Sequence, residues 1–452
     1  MIVVGGGFAG CEAAWQAARR GAAVTLYEMK PVRISPAHRS TDLCEVVCSN
    51  SLGSDSPDSA PGLLKRELRA LDSVVLRAAE RHRVPAGQAL AVDRERFAAE
   101  VTRAIEATPG ITVVREEVTE LPLDPAVPTI VATGPMTSDA LAASLARLVG
   151  GESLYFYDAI APIVTAESID MSVAFRASRY DSGPGDYLNC PLTEEQYHAF
   201  VRELLAAEKV PPHPFEEEKV FEGCLPIEVM AARGPLTLAY GPMKPVGLVD
   251  PRTGKRPFAV VQLRQEDAAA TLYNMVGFQT KLKYPEQKRV FRMIPGLERA
   301  EFVRLGSLHR NVFLNAPRLI DQTLRIRHLA APLFLAGQMI GVEGYVESCA
   351  MGALAGIHAA RLARGEPLLP PPRATALGSL VHYLVASDPR HFQPMNINFG
   401  LLPDPPAGVP REQRRAWQLV RAAEALAGWL RQVAPAAEDR SPEVRPEPGV
   451  AA

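Results

Sequence analysis

A short apolar run at residues 2–4 enters Gly5-Gly6-Gly7-Phe8-Ala9-Gly10, and a second run at residues 23–27 ends on Glu28. Strand, glycine turn, helix, strand and terminal acid follow one another within about thirty residues, the context a G-x-G-x-x-G fingerprint needs to mean a dinucleotide cradle. Gly5 permits the tight turn, Gly7 lets the backbone approach a pyrophosphate, and Gly10 lets the next helix pack on the strand. The helix expected from Phe8 to Arg20 aims free N–H groups and a positive dipole end at the phosphates. Glu28 is placed to accept the ribose hydroxyls of an adenosine.

The 452 residues leave room for two or three domains and a large core. A hydrophobic fraction of 47% with 22% charged residues describes a globular chain rather than a disordered one. Net charge is −2, so a nucleic-acid partner would have to be met by a local patch. Met1 stands directly before the first strand, and no apolar run approaches the roughly eighteen residues that cross a bilayer. The expectation is a cytoplasmic protein with no membrane partner, in which Cys11, Cys44, Cys48, Cys190, Cys224 and Cys349 are thiols. The sequence sets no oligomeric state.

Residues 1–150 alternate strand and helix, with helical stretches at 59–83 and 94–107 and a strand at 112–115, which is α/β order. The run at 129–133 ends on Gly134, and the run at 333–336 repeats that pattern with Gly337 and Gln338, followed by Gly341, Gly344 and a helix from Tyr345. Two such strand-to-glycine edges belong in one sheet, which makes the stretch between them an insertion. The fold class expected is therefore α/β: a Rossmann-like FAD-binding domain of the glutathione-reductase type with an inserted α+β domain and C-terminal helices. The boundaries read as 1–174 and 312–366 for the two parts of the FAD-binding domain, 175–311 for the insertion and 367–433 for the helical region. Residues 434–452, rich in Pro, Ala and Glu, read as a disordered tail.

FAD is favoured over NAD because there is no second G-x-G-x-x-G for a second dinucleotide, while a helix starting near Gly344 and Tyr345 would meet the far half of an extended cofactor. NADPH or NADH would then visit as a reductant without a domain of its own.

Cys48 follows the apolar Val46-Val47, and Cys224 sits in Phe221-Glu222-Gly223-Cys224-Leu225-Pro226-Ile227-Glu228. Exposed thiols beside loop N–H groups serve as nucleophiles or bases, whereas buried ones are inert packing, and both readings stand for each. Cys44 and Cys48 are four apart, which is not C-x-x-C, and no matching His follows, so no metal site is expected. Residues 281–310 carry eight Lys or Arg, among them Lys281, Lys283, Lys288, Arg289 and Arg292, against three Glu, locally +5. Such a strip suits a phosphate backbone or is simply a solvated face. Asn274, Phe278, Gln279, Tyr284 and His309 interleave with it as candidate base contacts, and Tyr273, Phe278 and Phe291 read equally as core.

The glycine turn, Val47-Cys48-Ser49-Asn50-Ser51-Leu52, the Cys224 block, Tyr273-Asn274-Met275-Val276-Gly277-Phe278-Gln279-Thr280 and Met395-Asn396-Ile397-Asn398-Phe399-Gly400 together resemble the TrmFO family of folate- and FAD-dependent tRNA (uracil-5-)-methyltransferases. The matches run from the start to about residue 402. The related MnmG (GidA) group, which modifies wobble uridine, is similar in the FAD domain but not in the Cys224 block combined with M-N-x-N-F-G. The TrmFO resemblance implies tRNA as substrate, methylenetetrahydrofolate as carbon donor, FAD as cofactor and NAD(P)H as reductant, with 5-methyluridine formed in the T loop. It also implies Cys224 as the nucleophile at uracil C6, and Cys48 as the base at C5 or as a thiol holding the methylene. A thiol oxidoreductase using Cys44 and Cys48 is the alternative from another class.

Overall fold

The computed structural model describes residues 1–35, 37–150, 153–179, 185–210 and 225–434. Ile2–Val4 pairs in parallel with Val24–Glu28 on one side and Thr129–Val131 on the other. Leu333–Leu335 and Ile111–Arg115 complete a five-stranded parallel sheet in the order 333–335, 129–131, 2–4, 24–28, 111–115. The two distant strand-to-glycine edges are thus neighbours in one sheet. The chain leaves Ile2–Val4 toward one side and returns on the other, so the crevice at the carboxyl ends of these strands is the topological switch point where ligands bind in such sheets.

The helix Phe8–Ala18 packs backbone to backbone on the long helix Tyr345–Ala363. A Cβ on Gly352 would stand 2.1 Å from the Ala9 carbonyl oxygen, and one on Gly356 2.3 Å from that of Ala13. Only glycines allow this approach, and it brings the two helix N-termini together: the rings of Phe8 and Tyr345 stack with centroids 4.5 Å apart.

Between Thr129–Val131 and Leu333–Leu335 the chain forms a second unit, built on a six-stranded sheet in the order 175–177, 187–192, 259–265, 272–275, 163–165, 302–304. Its strands pair antiparallel throughout. Ile163–Thr165 belongs to this sheet, which carries the inserted unit back ahead of residue 175; the paired strands Ser153–Ile160 and Ser307–Leu314 form the two-stranded stem that joins it to the rest. Along Ala259–Gln265 and Leu272–Met275 the side chains alternate. Val261, Leu263, Tyr273 and Met275 enter the core under the helices Glu194–Ala206 and Tyr284–Phe291, while Gln262, Arg264 and Asn274 take the opposite face.

The C-terminal helices Ala376–Ala386 and Arg414–Val433 dock on the first domain. The buried Glu67 carboxyl group accepts the free N–H groups of Ala376 and Leu377 at 2.7 and 2.8 Å, and Trp429 Nε1 donates to the Leu369 carbonyl at 2.8 Å. No described helix is long and apolar enough to cross a membrane.

Candidate functional site

Glycine turns sit at the carboxyl ends of three adjacent strands. Gly5 has φ 102°, donates its N–H to the Tyr27 carbonyl at 2.8 Å, and leaves no space for a side chain, since a Cβ there would lie 2.7 Å from the Ala132 oxygen. Gly7 is different: nothing lies within 4 Å of where its Cβ would be, so its backbone faces open space. Glu28 is buried, with its two carboxylate oxygens accepting the N–H groups of Gly6 and Lys30, each at 2.9 Å. Each oxygen keeps a lone pair for a hydroxyl. The helices at Phe8 and Tyr345 both start from glycines, Gly7 and Gly344, with no side chain at the cap position; in the second, the Glu347 carboxyl accepts its own N–H in the first turn. Gly134 and Gly337 are in positive φ at 64° and 85°.

These parts line one trough. It runs from Glu28 and the glycine turn past Gly134, Gly337 and Gln338 to Cys48 and Tyr345. There it meets a chamber of about 550 Å³ that shares Cys48 and Tyr345 as its threshold. The size is that of a small-molecule site.

Cys48 is held at this threshold by two devices. The Tyr345 phenol oxygen accepts the Cys48 N–H at 2.8 Å and stands 3.0 Å from Cys48 Sγ. Burial pushes the phenol well above its ordinary pKa, so it keeps its proton and is the donor whenever the sulfur is a thiolate. The second device is Arg94, whose guanidinium gathers the carbonyls of Val46, Val47 and Cys48 and pairs with the buried Glu266 of the inserted unit. Val46-Val47 is therefore a loop shaped from outside, not the strand-like run its composition suggests. Arg94 follows the cap Asp93 as the first residue of the helix Arg94–Glu106, where the dipole disfavours a cation; the loop carbonyls and Glu266 override that local rule.

The chamber draws on four separated segments. Ser49 and Ser51 follow Cys48; Arg264, Asn274 and Gln279 come from the inserted unit; Glu347 comes from the long helix; Asn396 comes from the C-terminal region. Asn396 Nδ2 donates to the Glu343 carbonyl at 2.7 Å and the Ile397 N–H to Glu347 at 3.1 Å, so the M-N-x-N-F-G stretch closes one wall. Burial raises the Glu347 carboxyl to about 7, and burial lowers the nearby Lys65 ammonium to about 8. Perturbed groups at such values mark sites of chemistry or binding.

The other cysteines separate clearly. Cys44 is fully buried, with its thiol directed to Cys11, and burial pushes it well above the ordinary range; it is not brought to Cys48. Burial pushes Cys190 to about 12 and Cys349 well up. Cys224 lies outside the described residues, as do Phe221, Glu222 and Gly223. Just beyond them, the Ile227 N–H donates to the Gln279 carbonyl at 2.7 Å, and the buried Glu228 accepts from the Thr280 hydroxyl and the Lys281 N–H, both at 2.8 Å.

The basic strip does not stay together. Lys281 and Arg304 turn inward and are buried, whereas Lys283, Lys288, Arg289 and Arg292 are exposed. Lys283 pairs with Glu208 at 2.7 Å, and Arg289 pairs with Glu286 at 2.8 Å and also with Glu203. The formal +5 overstates the field because Glu203 and Glu208 arrive from another helix and its end. Arg292 donates to the Ala300 carbonyl at 2.9 Å. Of the interleaved residues, Asn274 and Gln279 face the chamber, Phe278, Tyr273 and Phe291 are core, Tyr284 is exposed, and the His309 side chain lies outside what is described.

Residues 1–367 match the family model of glucose inhibited division protein A. The methylenetetrahydrofolate–tRNA-(uracil-5-)-methyltransferase TrmFO of Geotalea uraniireducens is 60% identical over 431 residues, covering 95% of this chain and 98% of the relative. That of Moorella thermoacetica is 58% identical over 432 residues, covering 95% and 97%. Among solved structures, Aquifex aeolicus GidA in its form I crystal superposes with a TM-score of 0.69 at 18% identity, covering 95% of this chain and 78% of that one, a likeness of fold.

Proposed function

We propose that this chain, which belongs to the TrmFO family within the wider glucose inhibited division protein A family, methylates uracil at C5 in the T loop of tRNA. The carbon comes from methylenetetrahydrofolate, with FAD as cofactor and NADPH or NADH as the reductant that recharges it. The observation that carries the reading is the single trough that leads from a dinucleotide cradle to a thiol and opens there into a chamber.

The residues present fit FAD. Glu28 has lone pairs for the ribose hydroxyls, Gly7 leaves the backbone open to the pyrophosphate, and the uncapped helix starting at Tyr345 faces the far half. When bound, FAD supplies in its reduced form the hydride that turns the transferred methylene into methyl.

Uracil C5 is a poor nucleophile until a group adds at C6. Cys224 is assigned that addition on the family resemblance, and Ile227, three positions later, is anchored to the chamber wall at Gln279. Cys48 removes the C5 proton: its Sγ stands at the threshold, and the Tyr345 phenol stabilises the thiolate that must be present before the proton is taken. Arg94 keeps this loop from moving as the substrate enters. The target base is flipped out of the folded tRNA, at a cost of a few kcal/mol. The exposed Lys283, Lys288, Arg289 and Arg292 are assigned to the tRNA backbone.

The test is nucleoside mass spectrometry of an unmodified tRNA transcript incubated with the protein, NADPH and isotope-labelled methylenetetrahydrofolate. Labelled 5-methyluridine in the T-loop fragment is the expected product. Its absence, with folded protein that carries flavin, would refute the assignment.

A further inference from the structure

Two polar side chains on the chamber wall lack the partners their burial calls for. Arg264 is 6% exposed and donates only to neutral groups, Nε to Asn50 Oδ1 at 2.8 Å and Nη2 to Ser49 Oγ at 2.7 Å. No carboxylate among the described residues lies within ion-pair distance of it. Asn274 is 3% exposed, and its side-chain nitrogen is a buried donor with no hydrogen-bond partner among the described residues. Glu266 attracts Arg264 through space but bonds in contact to Arg94, so Arg264 has no carboxylate of its own. A buried cation without a contact ion pair and a buried amide without a bond are each costly, and a fold keeps such groups where a ligand satisfies them.

The sheet places the two together. Arg264 and Asn274 are directly opposed in the antiparallel pairing of Ala259–Gln265 with Leu272–Met275, so their side chains leave the same face side by side. Both line the chamber whose threshold is Cys48, and Arg264 is tied to Ser49, the next residue after that thiol.

We propose that Arg264 and Asn274 form the subsite for the uracil 4-carbonyl, reading the base and holding the charge that builds on O4 during the reaction. The assignment rests on the methyltransferase reading above. When sulfur bonds to C6, the C5=C6 pair becomes the C4=C5 pair, and the carbonyl pair moves onto O4. After C5 has taken the methylene, loss of the C5 proton breaks the bond from the methylene to its amine carrier and leaves an exocyclic methylene; hydride addition to that carbon then returns the electron pair to C5=C6 and expels the thiolate from C6. O4 is thus most negative in the middle of the sequence, where donors already fixed in a dry wall stabilise it best. The Asn274 amide matches the N3–H and O4 edge of uracil as an acceptor beside a donor. Arg264 has donors only, so it rejects the 4-amino group that cytosine presents at the same place.

The experiment compares wild type, Asn274→Asp and Arg264→Lys on two tRNA transcripts that carry U or C at the T-loop target, with saturating labelled methylenetetrahydrofolate and NADPH. Wild type transfers label to U and not to C; if it labels neither, the methyltransferase reading fails and the subsite falls with it. With wild type active, Asn274→Asp is expected to lose on the order of 100-fold in kcat/KM on U. It is expected to gain detectable labelling of C, because a protonated carboxyl offers a donor to N3 and an acceptor to the amino group. The KM for folate and the flavin content stay at wild-type values. Arg264→Lys keeps the charge but not the planar fork, and falls between the two on U. Should Arg264→Lys fail to fold, Asn274→Asp carries the test. An Asn274→Asp enzyme that keeps its rate on U within threefold and its preference for U over C overturns the proposal. So does a loss confined to a raised KM for folate.

Discussion

The same substitution, Gly→Ala, should act with opposite sign at two helical glycines. In the helix Arg414–Val433, a Cβ on Gly428 would find its nearest atom, Arg431 Nη2, at 3.9 Å. Nothing there opposes the better helix propensity of alanine, so Gly428→Ala should stabilise the protein by about 0.5–1 kcal/mol. Gly352→Ala gains the same propensity, but its methyl would stand 2.1 Å from the Ala9 carbonyl oxygen and 2.7 Å from the Ala9 Cα. Those atoms are backbone, so the two helices must separate by roughly an ångström to restore contact. Overpacking of this kind costs about 1–3 kcal/mol, and after the propensity gain a net loss of about 1–2 kcal/mol remains. The separation falls at the helix starts, where Phe8 stacks on Tyr345, so it reaches the cradle as well. Urea denaturation followed by circular dichroism reads the stability, and the flavin absorbance of the purified variants reads the site. Gly352→Ala is expected to unfold at lower urea and to retain less flavin, while Gly428→Ala unfolds at higher urea with flavin unchanged. A Gly352→Ala protein as stable as Gly428→Ala with full flavin would refute the idea that backbone contact between these helices builds the cradle.

Arg94→Met should cost about 3–5 kcal/mol in the same denaturation, because it leaves Glu266 buried without its cation, and a companion Glu266→Met should recover a large part. Cys48→Ala should abolish methyl transfer and Cys44→Ala should leave its rate nearly unchanged; a dead Cys44→Ala enzyme with native flavin would instead point to thiol redox chemistry. Burial holds the Glu67 carboxyl at about 8, above the roughly 4.3 of an unfolded chain. A raised carboxyl contributes stability below the unfolded value that is lost as pH rises through the folded one. Melting temperatures from pH 4.5 to 8.5 should therefore fall more steeply in wild type than in Glu67→Gln. In tRNA binding, Lys288→Ala and Arg292→Ala should each lower the slope of log K against log salt by about 1. Arg289→Ala should lower it less, since Arg289 already faces Glu286 and Glu203.

The cradle was legible because its rules are local. A turn that needs positive φ, an uncapped helix start and an acid at the end of the next strand all fall within thirty residues, and each leaves its own residue type in the sequence. The pairing of Thr129–Val131 with Leu333–Leu335 was legible too, since both strands end in the same glycine pattern. What stayed hidden depends on contacts between distant segments. Arg94 looks like an ordinary helix residue until its guanidinium is seen holding the carbonyls on either side of Cys48. Val46-Val47 looks like a strand for the same reason, because the force that bends it comes from a residue nearly fifty positions away. The basic strip misled in the other direction: a window of sequence counts its own charges and misses Glu203 and Glu208, which the fold brings against it.

Arg264 shows why such residues escape a linear reading. In sequence it is one cation in Val-Val-Gln-Leu-Arg-Gln, and alternation says only that it shares a face with Gln262. Its meaning comes from three conditions that arise in different places. Leu272–Met275 puts Asn274 opposite it, the loop after Cys48 supplies neutral partners in place of a carboxylate, and the glycine-packed helices bring Tyr345 to the threshold of the same chamber. Giving Arg264 a contact ion pair of its own would need one acidic residue at Ser49 or Asn50, a small change in a loop already held by Arg94. That the loop carries a hydroxyl and an amide there instead leaves the cation offset only through space by Glu266, with an electron-rich oxygen next to a reacting carbon as the group that fits it in the chamber.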